Sequence, residues 1–307
     1  MDNNLDFQEF VVDIEDKGTR IDKYISDEIN DISRSRVQKL IDDGLVTVNG
    51  TVTKSNYKVN CEDKITVTIP ELVVPDIEPE DIHLDIIHED EDIIVVNKPK
   101  GMVVHPAAGH YTGTLVNALM FHCKDNLSGI NGVMRPGIVH RIDMDTTGVI
   151  VACKNDSAHN FIAEQLSVHS ITRKYYAIVM NRFKDEEGIV DAPIGRNKTD
   201  RKKMCIDKNG RRAVTRYKVL ENFDKFSFIE CQLETGRTHQ IRVHMSSIGH
   251  PLLGDSVYGS GKSQFNLQGQ TLHAGVLGFI HPGSKEYVEY SAPLPDYFNN
   301  VLKTLRK

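Results

Sequence analysis

The sequence predicts an α+β fold, made of a small N-terminal module and a larger domain dominated by β-strands. A length of 307 residues suits about two domains. An acidic stretch with two prolines separates the two candidate domains. From about residue 85 onward, short β-prone runs follow one another without the regular alternation with helices that a βαβ array requires. The predicted parts are an acidic leader (1–16), a compact module (17–70), an acidic linker (71–84) and the larger domain (85–307).

The small module contains the signals of two helices, a hairpin and a final strand. Ser33 is a favourable cap for a helix that begins at Arg34, and Gly44 is a favourable stop. Asn49-Gly50 stands between two β-prone runs, which is the strongest short-range signal of a hairpin. The predicted elements are a helix around residues 21–25, a helix from residue 34 to Gly44, a hairpin over 46–52 and a strand over 64–69.

The larger domain contains several runs of strand length and two helix signals. The first run is stopped by Lys98-Pro99, and Asp156 is a candidate cap for the first helix. The predicted strands cover residues 92–97, 148–153, 173–179 and 226–233, and the predicted helices cover 156–165 and 239–247.

Composition excludes two classes of protein and indicates a compartment. Hydrophobic residues make up 39% and charged residues 26% of the chain, as in globular proteins in solution. No run approaches the roughly 18 apolar residues of a membrane helix, and the acidic N-terminus is unlike a secretion signal. Five cysteines without a CxxC pair suit reduced thiols. We therefore expect a cytoplasmic protein that has no membrane partner.

The acidic charge is concentrated in two segments. The formal net charge is −6, but residues 1–16 and 71–92 together carry sixteen acids and no base. Residues 93–307 hold 28 bases and 19 acids. Because binding to phosphate depends on local basic surfaces, the net charge does not exclude a nucleic-acid partner.

Several charged side chains are candidates for chemistry or binding, although their spacing alone leaves structural roles open. Asp143 and Asp145 stand two residues apart, and each could be a nucleophile, a cap or an ion-pair partner. Arg237 and Arg242 bracket a polar run and can hold a carboxylate or a phosphate. The predicted second helix of the module carries three basic side chains, Arg34, Arg36 and Lys39. They form either a phosphate-binding face or a solvated helix face.

The histidines do not form a metal-binding pattern. The chain has 13 histidines, yet it contains no HExxH motif and no cysteine at ligand spacing. We therefore predict no metal site.

Three segments of the small module carry a resemblance: 20–25 (RIDKYI), 33–41 (SRSRVQKLI) and 44–50 (GLVTVNG). Through them, residues 17–70 resemble the small RNA-binding module of ribosomal small-subunit protein four and of many RNA-modifying enzymes. Further motifs stand at 97–106 (NKPKGMVVHP), 140–143 (HRID) with 146–148 (TTG), 173–175 (RKY) and 236–242 (GRTHQIR). With these motifs, the whole chain resembles the RluA/RluD-type pseudouridine synthases, and most closely the type that acts on large-subunit ribosomal RNA. The family's usual leucine in the second motif is replaced by Ile142, a conservative change.

The resemblance implies a mixed, mainly antiparallel sheet in the catalytic domain and roles for five residues. Asp143 matches the catalytic aspartate, and Arg242 matches the basic residue that pairs with it. Tyr175 matches the tyrosine that packs against the flipped base. Arg141 matches the arginine that enters the RNA stack, and Arg237 is a candidate for contact with the phosphate backbone.

The implied activity is isomerisation of specific uridines to pseudouridine, most closely in a stem-loop of large-subunit (23S) ribosomal RNA, free or in a pre-ribosomal particle. The product contains the same atoms as the substrate, so no cofactor is expected. The sequence leaves open whether the aspartate attacks the base or assists loss of a sugar proton. Transfer RNA is an alternative substrate, and a non-catalytic RNA-binding ribosome-assembly factor and a metal-dependent RNA hydrolase are alternative functions. A monomer is the default expectation.

Overall fold

The protein is described by a computed structural model that covers residues 5–29, 32–70, 77–107, 110–124, 126–130, 132, 135–200, 203–260 and 265–307. The chain divides into two compact units, residues 1–75 and 76–307. Each unit has a hydrophobic core built from its own residues. No helix in the described ranges is long and apolar enough to cross a membrane.

The described part of the N-terminal unit is an antiparallel sheet with two helices packed on it. Ile21 and Val37, one from each helix, are buried together with Val46 and Val67 of the sheet. The strand order is β1-β4-β2-β3. The elements are β1 (Leu5–Val11), α1 (Ile21–Glu28), α2 (Arg34–Asp42), β2 (Val46–Val48), β3 (Thr51–Val52) and β4 (Lys64–Pro70).

The local signals of this unit are confirmed. The Ser33 hydroxyl accepts a hydrogen bond of 3.3 Å from the backbone N–H of Arg36, so it caps α2. Asn49 and Gly50 have φ angles of 50° and 78°, as a two-residue hairpin turn between β2 and β3 requires. Gly44 follows the end of α2 with a φ of 75°, a conformation that glycine adopts without strain.

The segment expected to be an acidic leader is instead part of this sheet. Residues 5–11 form β1, which pairs with β4 along its whole length. Phe10 packs on the core, the following Val12 is buried, and Glu9 is exposed. Acidic composition did not reveal the strand, because the acids of a half-exposed strand occupy its solvent side.

The C-terminal unit is built on one mixed sheet of nine strands in the described residues, in the order β5-β6-β7-β14-β8-β13-β12-β9, with β15 paired to β14. The neighbours β7 and β14 run parallel, and the other pairs in this sheet are antiparallel. The strands of the unit are β5 (Ile86–Glu89), β6 (Ile93–Lys98), β7 (Thr147–Cys153), β8 (Thr172–Met180), β9 (Glu187–Asp191), β10 (Ile194–Arg196), β11 (Met204–Ile206), β12 (Val214–Asn222), β13 (Phe226–Leu233), β14 (Leu272–Ile280) and β15 (Tyr287–Ser291). The helices are α3 (Leu115–Cys123), α4 (Asp156–Ser167), α5 (Gln240–Ser247) and α6 (Asp296–Leu305).

The predicted fold class is confirmed, and every strand and helix predicted for this domain is present, with ends that differ by no more than two residues. The cap of α4 differs from the prediction. The side chain of Asn155, rather than that of Asp156, accepts a hydrogen bond of 2.8 Å from the N–H of Ala158. Asp156 is the first helical residue, where its negative charge interacts favourably with the positive end of the helix dipole.

The second half of the predicted acidic linker packs on the C-terminal unit. Residues 71–76 lie outside the described ranges, but Ile77 is buried in the core of this unit. The carbonyl oxygen of Glu78 accepts a hydrogen bond of 2.8 Å from the side chain of Asn117 on α3. The carboxylate of Glu80 accepts one of 2.9 Å from the N–H of Gly113. Residues 77–84 therefore belong to the larger domain, and their acids are partly used as hydrogen-bond acceptors.

Candidate active site

A pocket of about 330 Å³ in the C-terminal unit brings together the five residues that the sequence predicts for the larger domain. They come from the loop before β7, from β8, and from the turn and first residues of α5. Arg141 and Arg242, the two of these positions furthest apart in sequence, meet in this pocket. The predicted lining residues are Arg141, Asp143, Tyr175, Arg237 and Arg242.

The loop that carries Asp143 is held by a buried lysine. Lys98, the last residue of β6, donates hydrogen bonds from Nζ to the carbonyl oxygens of Pro99, Met102 and Met144 at 2.8, 2.7 and 3.0 Å. Burial lowers the pKa of Lys98 to about 7. Because Met144 directly follows Asp143, Lys98 connects the 97–106 motif to the loop that presents the carboxylate.

A glycine fixes the point where this loop enters the sheet. Gly148, in β7, lies opposite Ala274 of β14 in the parallel pair. Its φ is 109°, and a Cβ at this position would overlap the backbone of Ala274. Glycine therefore permits the close approach of the two strands.

Asp143 is bound by Arg242 at the wall of the pocket. Nη1 of Arg242 donates a hydrogen bond of 2.9 Å to Oδ2 of Asp143, across 99 residues of sequence. The Arg242 side chain is 7% exposed and the Asp143 side chain is 18% exposed, so the carboxylate still reaches the pocket.

A second carboxylate fixes the other side of Arg242. Asp255 accepts hydrogen bonds from Nε and Nη2 of Arg242 at 2.8 and 3.0 Å. Its Oδ1 also accepts from the backbone N–H groups of Val257 and Tyr258 at 2.9 and 3.0 Å. Burial disfavours the Arg242 cation, but the hydrogen bonds to Asp255 and the charges of both carboxylates raise the pKa of Arg242 above its ordinary value. Arg242 is therefore a permanent cation with one fixed orientation.

Tyr175 supplies an aromatic wall. It lies on β8, where Tyr175 and Arg173 share one buried face of the strand. Burial raises the pKa of the Tyr175 phenol above its ordinary value. The side chain is thus a neutral phenol at pH 7, with a ring face available to a flat base.

His239 also faces Asp143, with its Nε2 at 3.8 Å from Oδ1. The Nδ1 atom of His239 is 2.8 Å from the hydroxyl of Tyr258. That hydroxyl accepts a hydrogen bond of 2.9 Å from the backbone N–H of Met204, so its own proton is directed to Nδ1. The ring proton of His239 is then on Nε2, pointing to the carboxylate. Burial lowers the pKa of His239, which keeps the ring neutral at pH 7.

The remaining two predicted residues provide positive charge at the pocket. Arg141 is exposed. Arg237 is partly buried and donates a hydrogen bond of 3.0 Å from Nε to the carbonyl oxygen of Arg212. Both guanidinium groups can meet a polyanion that enters the pocket.

The basic residues predicted in the N-terminal unit share α2 but differ in their contacts. Arg34 forms an ion pair of 3.0 Å with Asp22, whose side chain is fully buried and which also holds Arg20. Arg36 is partly exposed, and Lys39 is exposed. Arg34 is therefore fixed in orientation by the core of its unit, whereas Arg36 and Lys39 extend from the helix surface.

No role in the site was predicted for Lys98, His239 or Asp255. Lys98 and His239 stand inside the motifs at 97–106 and 236–242, so a signal was present. Their functions depend on partners from distant segments, which sequence spacing does not provide.

One group of potential metal ligands is present among the described residues, and it comprises His88, Asp90 and His281. Nδ1 of His281 accepts hydrogen bonds from the backbone N–H groups of Gly283 and Ser284 at 3.1 and 3.2 Å. Its proton is therefore on Nε2, which lies 2.9 Å from Asp90. A metal would need that same nitrogen without its proton. The group fits a hydrogen-bonded ion cluster better than a metal site.

Comparisons with known proteins identify the families that the two units match. A family model described as RNA pseudouridylate synthase matches residues 92–247, which include all the pocket residues named above. A model of the S4 domain matches residues 19–65 of the N-terminal unit.

Similar proteins match nearly the whole chain. An uncharacterized RNA pseudouridine synthase of Bacillus subtilis is 55% identical over 293 residues, covering 95% of this chain and 96% of the relative. A ribosomal large subunit pseudouridine synthase D of Zymomonas mobilis is 49% identical and covers 94% of each chain. The solved structure of human RNA pseudouridylate synthase domain containing 1 is 26% identical, with a TM-score of 0.57, and covers 73% of this chain and 95% of that one.

Proposed function

Because this chain belongs to the RNA pseudouridylate synthase family and isomerises uridine to pseudouridine in RNA, we propose that its target uridines lie in a stem-loop of large-subunit ribosomal RNA. Relatives named for the ribosomal large subunit match 94% of the chain. The S4 domain adds a second RNA-binding unit to the catalytic one. We also propose that the protein acts in the cytoplasm.

The observation that carries the catalytic assignment is the contact of Asp143 with Arg242 at 2.9 Å in the pocket. Isomerisation breaks the bond from N1 of uracil to C1′ of ribose and forms a bond from C5 to C1′, while a proton moves from C5 to solvent and N1 gains one. An ionised carboxylate can attack the base or C1′, or remove a sugar proton. The hydrogen bond from Arg242 holds the Asp143 side chain in one position, which suits each of these routes.

Two further residues suit the handling of an extruded base. A uridine inside a stem must leave its stack before it reaches the pocket, which costs a few kcal/mol. The Tyr175 ring lines the pocket and can stack on the uracil. Arg141, exposed at the same pocket, can occupy the vacated space in the RNA.

The test is a map of pseudouridines in unmodified transcripts of large-subunit ribosomal RNA. The RNA is treated with the protein in the presence of EDTA, and pseudouridines are located by carbodiimide adducts that stop primer extension. We expect stops at a small number of uridines in stem-loops with the wild-type protein, and none with Asp143→Asn. Modification of transfer RNA alone, with no stops in ribosomal RNA or in assembled subunits, would contradict the proposed target.

A further inference from the structure

A buried arginine in the pocket wall has no acidic partner. Arg173 is 7% exposed and lines the same pocket as Asp143. Its Nη2 donates a hydrogen bond of 3.2 Å to the carbonyl oxygen of Glu234, but its buried Nε has no hydrogen-bond partner. Within the described residues, no carboxylate lies at ion-pair distance from it.

The charged neighbour of Arg173 in the pocket is also a cation. Burial lowers the pKa of Arg173, the neighbouring Tyr175 partly offsets this effect, and the positive charge of Arg237 lowers the pKa further. The charge of Arg173 in turn helps to lower the pKa of His140, after the larger effect of burial. An arginine remains protonated at neutral pH despite such shifts.

The backbone is shaped to admit this side chain. A Cβ on Gly236 would lie 2.5 Å from Nη1 of Arg173, so glycine leaves the space that the guanidinium occupies. A buried charge without a counter-ion is costly, and an unpaired N–H adds to that cost. A negatively charged ligand would remove both penalties.

We propose that Arg173, together with Arg237, binds a phosphodiester group of the RNA inside the pocket, next to the target uridine. This inference rests on the proposed function, in that the uridine enters this pocket. A phosphate supplies the charge that two neighbouring guanidinium groups lack, and its oxygens suit the planar N–H donors of arginine. A carbonyl oxygen of uracil would satisfy one N–H but would leave the repulsion between the two cations in place.

The experiment compares protein variants on RNAs that differ in one phosphate. The RNA is a stem-loop that contains a uridine which the protein modifies. One version is unaltered. Each of the four others carries one uncharged methylphosphonate, at the first or the second linkage on the 5′ side or the 3′ side of that uridine. Binding is measured for wild type, for Arg173→Met and for Lys174→Met. Lys174 is the matched control, because it is the next residue on β8 and points to the opposite face of the strand.

We expect Arg173→Met to weaken binding of the unaltered RNA by about tenfold, the usual value of a hydrogen bond to a charged group. On one methylphosphonate RNA, wild type should lose about the same factor and Arg173→Met should lose almost nothing more. Lys174→Met should bind every RNA about as wild type does. If Arg173→Met does not fold, as judged by circular dichroism, Arg173→Lys replaces it, with a smaller effect in the same pattern.

Three results would overturn the proposal. The first is equal binding by wild type and Arg173→Met. The second is the same loss from Arg173→Met on all five RNAs, which would indicate a contact to the base or a structural role. The third is a wild-type protein that tolerates all four uncharged linkages. A substrate other than large-subunit ribosomal RNA would overturn the proposed target but not this inference, because the measurement uses whichever RNA the protein modifies.

Discussion

Asp255 binds Arg242 through two parallel hydrogen bonds, from Nε at 2.8 Å and from Nη2 at 3.0 Å. This leaves Nη1 of the same guanidinium to reach Asp143. The ion pair with Asp255 therefore fixes the orientation in which Arg242 holds the Asp143 carboxylate.

Replacing Asp255 should reduce turnover more than substrate binding. Asp255→Asn keeps the shape of the side chain but removes its charge and one of the two oxygens that accept from Arg242. The guanidinium of Arg242 is then no longer held in one orientation. Removing one partner of a buried pair costs about 3 kcal/mol of stability. We expect a lower melting temperature and, at a temperature where the variant is folded, a lower kcat with KM nearly unchanged. The control is Asp90→Asn, which breaks another ion cluster outside the pocket; it should lower the melting temperature and leave kcat unchanged. The same kcat in Asp255→Asn and in Asp90→Asn would contradict the role of Asp255 in positioning Arg242.

The two aspartates of the 140–148 segment should behave differently. Asp143→Asn should abolish isomerisation while RNA affinity stays within a few-fold of wild type, because the fold and the basic surface remain. Asp145→Asn is the matched control, since Asp145 does not line the pocket, and it should retain most of the activity. Single-turnover conversion and filter binding measure the two quantities. Substantial turnover by Asp143→Asn would exclude it as the reactive group.

Tyr258 should influence catalysis through His239. Tyr258→Phe removes the hydroxyl that connects the N–H of Met204 to Nδ1 of His239. The ring of His239 can then place its proton on either nitrogen. We expect kcat to fall by about tenfold or less, because a hydrogen bond between neutral groups is worth about 1 kcal/mol. His239→Gln should produce a similar fall, and the double variant should show no further loss. Additive losses would show that the two residues act independently.

The stability of the C-terminal unit should decrease on mild acidification. Nε2 of His140 accepts a hydrogen bond of 3.1 Å from the N–H of Val151, so the ring is neutral. Burial, with a smaller effect from the charge of Arg173, lowers the pKa of His140 to about 4. The unfolded chain, with an ordinary pKa of about 6.5, binds the proton first as the pH falls. The contribution of His140 to the free energy of unfolding is therefore complete above about pH 6.5 and is lost progressively between about pH 6.5 and pH 4.

The control for that pH dependence is His140→Gln, whose side-chain oxygen can take the place of Nε2 and still accept from Val151. We expect the difference in unfolding free energy between pH 7 and pH 5 to be about 2 kcal/mol smaller in the variant. Urea denaturation at the two pH values provides the measurement. Identical pH dependence in both proteins would mean that His140 does not titrate in this way.

The S4 unit should contribute to RNA affinity mainly through basic side chains on its surface. In the variant Arg36→Ala with Lys39→Ala, the slope of log affinity against log salt should become shallower by roughly 1.5, as expected for two lost phosphate contacts. The control is Lys303→Ala with Lys307→Ala, which removes two exposed charges near α6 and should leave the slope unchanged. Equal slopes for both variants would show that this helix surface does not bind RNA.

About half of the helices and strands could be predicted from sequence, because their local signals depend on contacts between near neighbours. The Ser33 cap and the Asn49-Gly50 turn are determined by a few adjacent residues, and both were predicted. Strand β14 had no specific prediction. It is buried on both faces along almost its whole length, and such a run lacks the alternation that identifies a half-exposed strand. The leader strand β1 had no local signal either, because its partner β4 is more than fifty residues away in the chain.

The amino-acid sequence by itself determined the two-part α+β organisation and about half of the helices and strands, and the family resemblance of its motifs selected Asp143, Tyr175 and Arg242 as candidate site residues. The tertiary structure decided how those residues act on one another. It placed Asp255 behind Arg242, His239 beside Asp143, and Arg173 in the pocket without a counter-ion. Orientation, burial and unpaired charge arise from contacts between segments far apart in the chain, and spacing along the sequence contains no measure of them.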